Sequence, residues 1–229
     1  MLRSLMDLKG FNIMATDGLL GKAVDCLTDE RKWAIKYMVV ETGSWFWKRK
    51  LLIASSNFDE PKTIEKVIPA ALTMKEIRLS PFYEEHPPIS LRYKFRLNDR
   101  FTWAPYYDED RPLYEETVPI DHNSVLSDGV NHLRSLVEMT GYEVEANKKS
   151  CGVVKSFIID TKNWMLRYAV VDTGTWYSGK LVLIPTSFID GVNCTTRSID
   201  LGTRRDIIET APTYDSNILP ATSVGQGRL

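Results

Sequence analysis

Cysteine, histidine and charge imbalance are all scarce in this sequence, and each shortage removes a class of function. Cys26, Cys151 and Cys194 are an odd number without Cys-x-x-Cys spacing, which gives neither a disulfide framework nor a zinc ribbon. They are expected to be reduced, inert thiols. The three histidines, His86, His122 and His132, have no second metal ligand at a suitable spacing and are expected in solvated loops. Basic and acidic residues nearly cancel, 29 against 30, so no overall field draws the chain to nucleic acid or an anionic membrane. No run approaches the roughly 20 apolar residues that span a bilayer. Arg3, Asp7 and Lys9 interrupt the first ten residues, which therefore lack the apolar centre of an export signal. The expectation is a bacterial cytoplasmic protein that reaches a membrane, if at all, through a partner.

Signatures of catalysis are missing as well. There is no Gly-x-Ser-x-Gly element and no glycine-rich phosphate loop. Tyr106-Tyr107-Asp108-Glu109-Asp110 clusters three carboxylates but lacks the turn glycine of a calcium loop. No catalytic, cofactor-binding or metal-ligating set is expected, and the chain reads as a non-enzyme. What is present is ordinary globular material, 43% hydrophobic and 26% charged.

The dominant feature is an internal repeat. Leu2-Arg3-Ser4-Leu5 recurs as Leu133-Arg134-Ser135-Leu136, an offset of 131 residues. At that offset Gly10 meets Gly141, Ala15 meets Ala146, Gly21 meets Gly152, Asp29 meets Asp160, Trp33 meets Trp164 and Tyr37 meets Tyr168. Val39-Val40-Glu41-Thr42-Gly43-Ser44-Trp45 then meets Val170-Val171-Asp172-Thr173-Gly174-Thr175-Trp176. One residue is read as dropping out afterwards, since Lys50-Leu51 matches Lys180-Leu181 and Phe58 matches Phe188 at an offset of 130. The reading is copy 1 over 1–81, a linker over 82–131, copy 2 over 132–212 and a flexible tail over 213–229.

Each copy reads as short strands. Phe11 to Ala15 leads to a turn at Asp17-Gly18. Ala23 to Thr28, Trp33 to Val40 and Lys50 to Ser55 follow, mirrored by Val153 to Ile159, Trp164 to Val171 and Lys180 to Ile184, rich in β-branched and aromatic residues. Leu72 to Ile77 reads as a helical turn with Thr73 as N-cap and Glu76 in the capping-box position, repeated less cleanly by Thr203 and Asp206. Trp33 and Tyr37, four apart, are expected on one strand face, as are Trp164 and Tyr168. Short strands at even spacing imply, for each copy, a small closed or nearly closed barrel.

The string Gly21-x-x-x-Asp25, Trp33-x-Ile35-Lys36-Tyr37, Val39-Val40-Glu41-Thr42-Gly43-x-Trp45, with its second occurrence and the closing Leu72-Thr73-Met74-Lys75-Glu76-Ile77-Arg78-Leu79-Ser80-Pro81, resembles the PRC-barrel family. The resemblance covers both copies and implies a mainly β fold of two tandem small barrels with short helical turns. It also implies a binding role. Members include the cytoplasmic part of the photosynthetic reaction centre H subunit and the C-terminal domain of a ribosome maturation factor, in both of which the barrel docks on a larger assembly. This chain lacks the membrane helix of the first and the separate N-terminal domain of the second. In copy 2, Asn147-Lys148-Lys149-Ser150 replaces the Asp-Gly turn, so the first hairpin is expected to differ.

The linker is rich in Tyr, Pro and charge, and its aromatic content argues for an ordered segment packed across the barrels. Arg92-Tyr93-Lys94-Phe95-Arg96 reads as an edge strand. The loop carrying Trp45, Phe46, Trp47, Lys48 and Arg49, with its counterpart Trp176, Tyr177 and Lys180, is the first choice of partner surface, because tryptophan, tyrosine and arginine anchor interfaces. The same loops could instead seal the two barrels together. A non-catalytic scaffold docking on a larger protein assembly is the leading reading. RNA or ribosome association is the first alternative, since Lys48-Arg49-Lys50 beside aromatics suits a phosphate backbone. A place beside a membrane photosynthetic or electron-transfer complex is the second.

Overall fold

The structure is a computed structural model, and it describes residues 1–43, 49–77, 80, 83, 132–174 and 179–215. The first repeat runs β1 (Leu2–Ser4), α1 (Leu5–Leu8), β2 (Asn12–Ala15), β3 (Gly18–Asp29), β4 (Ala34–Thr42), β5 (Arg49–Ala54), β6 (Val67–Pro69) and α2 (Met74–Ile77). The second runs β7 (Leu133–Ser135), α3 (Leu136–Met139), β8 (Glu143–Ala146), β9 (Lys149–Asp160), β10 (Met165–Asp172), β11 (Leu181–Pro185), β12 (Ile189–Asn193), β13 (Ser198–Leu201) and α4 (Arg205–Glu209). Short 3₁₀ turns at Ser55–Asn57 and Thr186–Phe188 follow β5 and β11.

The protein is mainly β, as the pattern of short apolar runs implies. The strand pairing, however, departs from two separate closed barrels. Thirteen strands form one open sheet running through both repeats. The reason is a reciprocal exchange. β1 pairs with β9 of the second repeat, Leu2 opposite Asp160 and Ser4 opposite Ile158. β7 pairs in the mirror-image way with β3 of the first, Leu133 opposite Asp29 and Ser135 opposite Leu27. Each repeat thus completes the other.

The exchange has a pseudo-two-fold axis. Ala34 pairs with Met165, its own counterpart. Ile35 donates its N–H to Trp164 O at 2.8 Å, and Leu166 donates to Trp33 O at 2.7 Å. Both tryptophans reach this position through a left-handed backbone, φ 53° and 51°, a region that bulky residues rarely adopt. Such strain persists only where the surroundings over-determine it, and here two buried indoles and a closing pair of strand bonds do so.

Why the strands read as unbroken apolar runs is now clear. β3, β4 and β5 are covered on both faces. Cys26, Met38, Val40, Leu51 and Ile53 face a main core shared with Phe157, Val171 and Ile184 of the second repeat. Leu27, Val39 and Leu52 face the other way into a smaller cluster, which the exchanged strand completes with Leu133. The counterpart cluster of Ile158, Val170 and Leu183 receives Leu2. Fully burying such a leucine is worth about 1.5–3 kcal/mol, so the exchanged strands hold by side chains as well as by backbone bonds.

Several expectations need correction. The missing residue after Trp45 is not missing: Val40 pairs with Leu51 and Val171 with Val182, which keeps the offset at 131. Leu51 therefore corresponds to Val182, and Phe58 to Ile189. Trp33 and Tyr37 do not share a face. Trp33 lies in the main core and Tyr37 against the smaller cluster, because Trp33 sits in the turn before β4 and a register shift follows at Leu27/Thr28. The first hairpin turns at Thr16-Asp17, since Ala15 pairs with Gly18. In the second repeat Asn147 and Lys148 make the turn, both left-handed, so the expected difference between the hairpins is present. The Thr73 capping box forms, with Thr73 N–H and Oγ1 bonded to Glu76 Oε2 at 2.8 and 2.7 Å. Its counterpart does not: α4 begins after Arg204, which pairs with Asp206 instead of leaving Thr203 to cap. The start of the expected flexible tail is paired, Tyr214 donating to Leu181 O at 2.7 Å as its counterpart Tyr83 donates to Lys50 O at 2.9 Å. The linker strand at 92–96, His86, His122, the 106–110 carboxylates and the rest of the tail lie outside the described residues.

Candidate functional site

The strands that flank the two tryptophan-bearing segments form equivalent hairpins. Thr42 Oγ1 donates to Arg49 O at 3.4 Å, and Thr173 Oγ1 donates to Lys180 O at 3.0 Å. Arg49 and Lys180 are therefore true counterparts, closing equivalent hairpins. β4 and β10 both start at the pseudo-two-fold axis and run antiparallel, so these hairpin ends point in opposite directions. The nine residues of β4 carry its end roughly 30 Å from the axis at the usual rise per residue. Trp45, Trp47, Lys48, Trp176 and Tyr177 themselves lie outside the described residues.

Among the described residues, polar groups hold the junction between the repeats. Arg134 of β7 grips Glu30 with two bonds, Nε to Oε2 at 2.6 Å and Nη2 to Oε1 at 2.8 Å. Arg134 is 7% exposed, and its Nη1 has no partner among the described residues. His132 Nδ1 lies 3.0 Å from Glu30 Oε1, so this histidine belongs to the junction and not to a solvated loop. At the two-fold-related place the Met1 ammonium pairs with Asp160 at 3.1 Å instead. Thr161 stands for Glu30 there, and its N–H and hydroxyl both donate to Met1 O at 2.9 Å.

A second asymmetry lies beside it. Asp25 on β3 accepts from Ser135 Oγ, and its Oδ1 accepts from Val137 N at 3.0 Å and from Cys26 N at 2.7 Å. Burial pushes this carboxyl up to about 6, against the pull of those hydrogen bonds and of the Lys50 charge. At the counterpart position Ser156 shares a 2.9 Å hydrogen bond with Ser4. Asp25 also borders a cavity of about 360 Å³, together with Glu41, Lys50, Tyr83 and Glu138. The Lys50 ammonium lies 5.4 Å from the centre of the Tyr83 ring, within cation–π range.

The cysteines behave as expected of inert thiols. Cys26 and Cys151 are buried and all three are unpaired. Burial pushes the Cys26 thiol up, and the neighbouring Asp25 charge adds to the effect. Burial likewise raises Cys151 and Cys194. Thiols in that state are poor nucleophiles. Among the described residues no group of three or more His, Cys, Asp or Glu side chains is placed to hold a metal ion, and no helix is long and apolar enough to cross a membrane.

A concavity opens in the second repeat. A groove of about 600 Å³ runs between β11 with its 3₁₀ turn and α4, walled by Tyr168, Leu183, Pro185, Phe188, Ile207 and Pro212. Its polar rim is Arg167, Thr186, Ser187 and Thr210. Ile207 is 41% exposed at its edge. Its walls are mainly apolar, suited to accepting apolar side chains.

Comparison with known families fits this placement. Residues 132–211 match the PRC-barrel domain, so a domain of that family is present in the second repeat. No curated protein matches the chain.

Proposed function

We propose that this protein is a non-catalytic binding protein of the PRC-barrel type that docks on a larger protein assembly. The first repeat, whose β1–α1–β2–β3–β4–β5 order recurs at a constant offset, is read as a second module of the same kind. Its fusion to the matched module by exchanged strands makes a stiff platform in place of two beads on a linker. The observation that carries the reading is the open apolar groove inside the matched residues, edged by the exposed Ile207. Concave apolar surface with a polar rim is the usual mark of a docking site. The loop pair of Trp45, Trp47, Lys48 and Arg49 with Trp176, Tyr177 and Lys180 is proposed as a second contact. Two such loops would make docking two-armed.

Affinity capture of the tagged protein from its own cell lysate tests this. The variants are Ile207→Glu and the triple variant Trp45→Ala/Trp47→Ala/Trp176→Ala, each checked for a native fold. A protein assembly retained by the wild type and lost with Ile207→Glu supports the groove. Loss with the triple variant alone moves the surface to the loops. Retention of RNA that fades as salt rises favours the nucleic-acid alternative, and cosedimentation with membranes favours the electron-transfer one. Capture of nothing by the wild type contradicts docking.

A further inference from the structure

The junction between the repeats is chemically lopsided at Asp25 as well as at Glu30, and at Asp25 a carboxyl group stands opposite a hydroxyl. Asp25 belongs to the first repeat, but Ser135 and Val137, which donate to it, belong to the second. Both stand where the exchanged strand turns into α3, whose first turn Ser135 caps by accepting from Glu138 N at 3.0 Å. Breaking the Asp25 contact therefore frees a strand end and a helix start together. The related junction, Ser4 with Ser156, carries hydroxyls that do not titrate near neutral pH.

We propose that the contact of Asp25 with Ser135 and Val137 is a pH-responsive clasp between the repeats, closed while Asp25 is protonated and loosened when it ionises. The charged and titratable groups facing Asp25 come from each element around it: Lys9 after α1, Glu41 on β4, Lys50 on β5, Tyr83 and Glu138 on α3. Two ammonium groups meet two further carboxylates there, so the surroundings supply little net charge to hold an Asp25 anion in place. Burial then decides the balance. A protonated carboxyl still accepts from Val137 and still bonds the Ser135 hydroxyl, whereas an ionised one gains hydration whenever the clasp opens.

The sign follows from linkage. The folded carboxyl titrates at about 6 against an ordinary 3.8. Its contribution to the closed state is complete below the ordinary value and is lost as pH rises through 6. Between pH 5 and pH 8 the closed-to-open ratio falls by roughly tenfold on that account.

Hydrogen–deuterium exchange on the full chain tests the proposal, with rates corrected for intrinsic pH dependence. The wild type is expected to lose about tenfold in protection over residues 133–139 between pH 5 and 8, while the counterpart residues 2–8 keep theirs. Asp25→Asn, which keeps the acceptor and removes the charge, is expected to hold protection at 133–139 constant. Asp25→Ser, the residue type found at 156, serves the same purpose if the asparagine variant does not fold. Protection at 133–139 that is flat with pH in the wild type overturns the clasp. An equal fall in Asp25→Asn, or an equal fall over 2–8 in the wild type, overturns it as well.

Discussion

Ala34 faces Met165 as a non-hydrogen-bonded pair, flanked by the reciprocal bonds Ile35 N to Trp164 O and Leu166 N to Trp33 O. A residue paired with its own repeat counterpart can only sit on a two-fold axis. From that pair outward the strand pairings of one repeat have their images in the other, while side-chain chemistry breaks the symmetry, as at Asp25/Ser156 and at Glu30/Thr161.

The buried Glu30–Arg134 pair should be costly to break from one side. Glu30→Ala leaves the Arg134 guanidinium buried without its carboxylate, and a loss of about 3–5 kcal/mol in unfolding free energy is expected. The related Thr161→Ala should cost about 1 kcal/mol, a lost hydroxyl bond. Denaturant titration of both variants checks the difference.

Two glycines are required by close backbone approach. A Cβ at Gly21 would lie 2.1 Å from Glu41 O, and one at Gly152 would lie 2.0 Å from Asp172 O. Alanine at either place should cost about 1–3 kcal/mol or more, the range for overpacking a well-packed interior. Gly10, at φ +90° with nothing within 4 Å of the added Cβ, should lose only about 1–2 kcal/mol through backbone strain. Thermal melts of Gly21→Ala, Gly152→Ala and Gly10→Ala rank the three.

Trp164 bridges the repeats. Its indole N–H donates to Phe58 O at 3.2 Å, and its ring packs 6.0 Å from that of Phe58. Trp164→Phe keeps a ring and loses the bond. A destabilisation of at least 1 kcal/mol is expected, about 1 from the bond and the rest from lost volume.

Much of this was written in the sequence, and what was not has physical reasons. The repeat, the strands and the Thr73–Glu76 capping box depend on local pattern, which survives translation into structure. Strand exchange does not depend on local pattern. Leu2-Arg3-Ser4 and Leu133-Arg134-Ser135 are alike, so either can add to β3 or to β9, and only packing chooses. The false deletion arose because Lys50-Leu51 and Lys180-Leu181 look alike, although the ladder sets Lys50 against Glu41 and Leu181 against Asp172. Asp25 escaped notice because one carboxylate inside a strand reads as a solvent-facing residue. Its burial comes from α3, more than a hundred residues away. The groove was hidden for a similar reason, since Leu183 and Ile207 meet only through the tertiary fold.

The exchanged, two-fold sheet is the premise of everything above, and a cross-link tests it most directly. Cα atoms of a non-hydrogen-bonded antiparallel pair lie about 4.5 Å apart, within disulfide reach. Ala34→Cys/Met165→Cys in the full-length chain, under mild oxidation, should form an intramolecular disulfide at high yield, seen as monomeric protein with a linked 34–165 peptide pair. A chain that stays reduced at these positions, or that links only between molecules, would contradict the shared sheet and with it the platform on which docking is proposed.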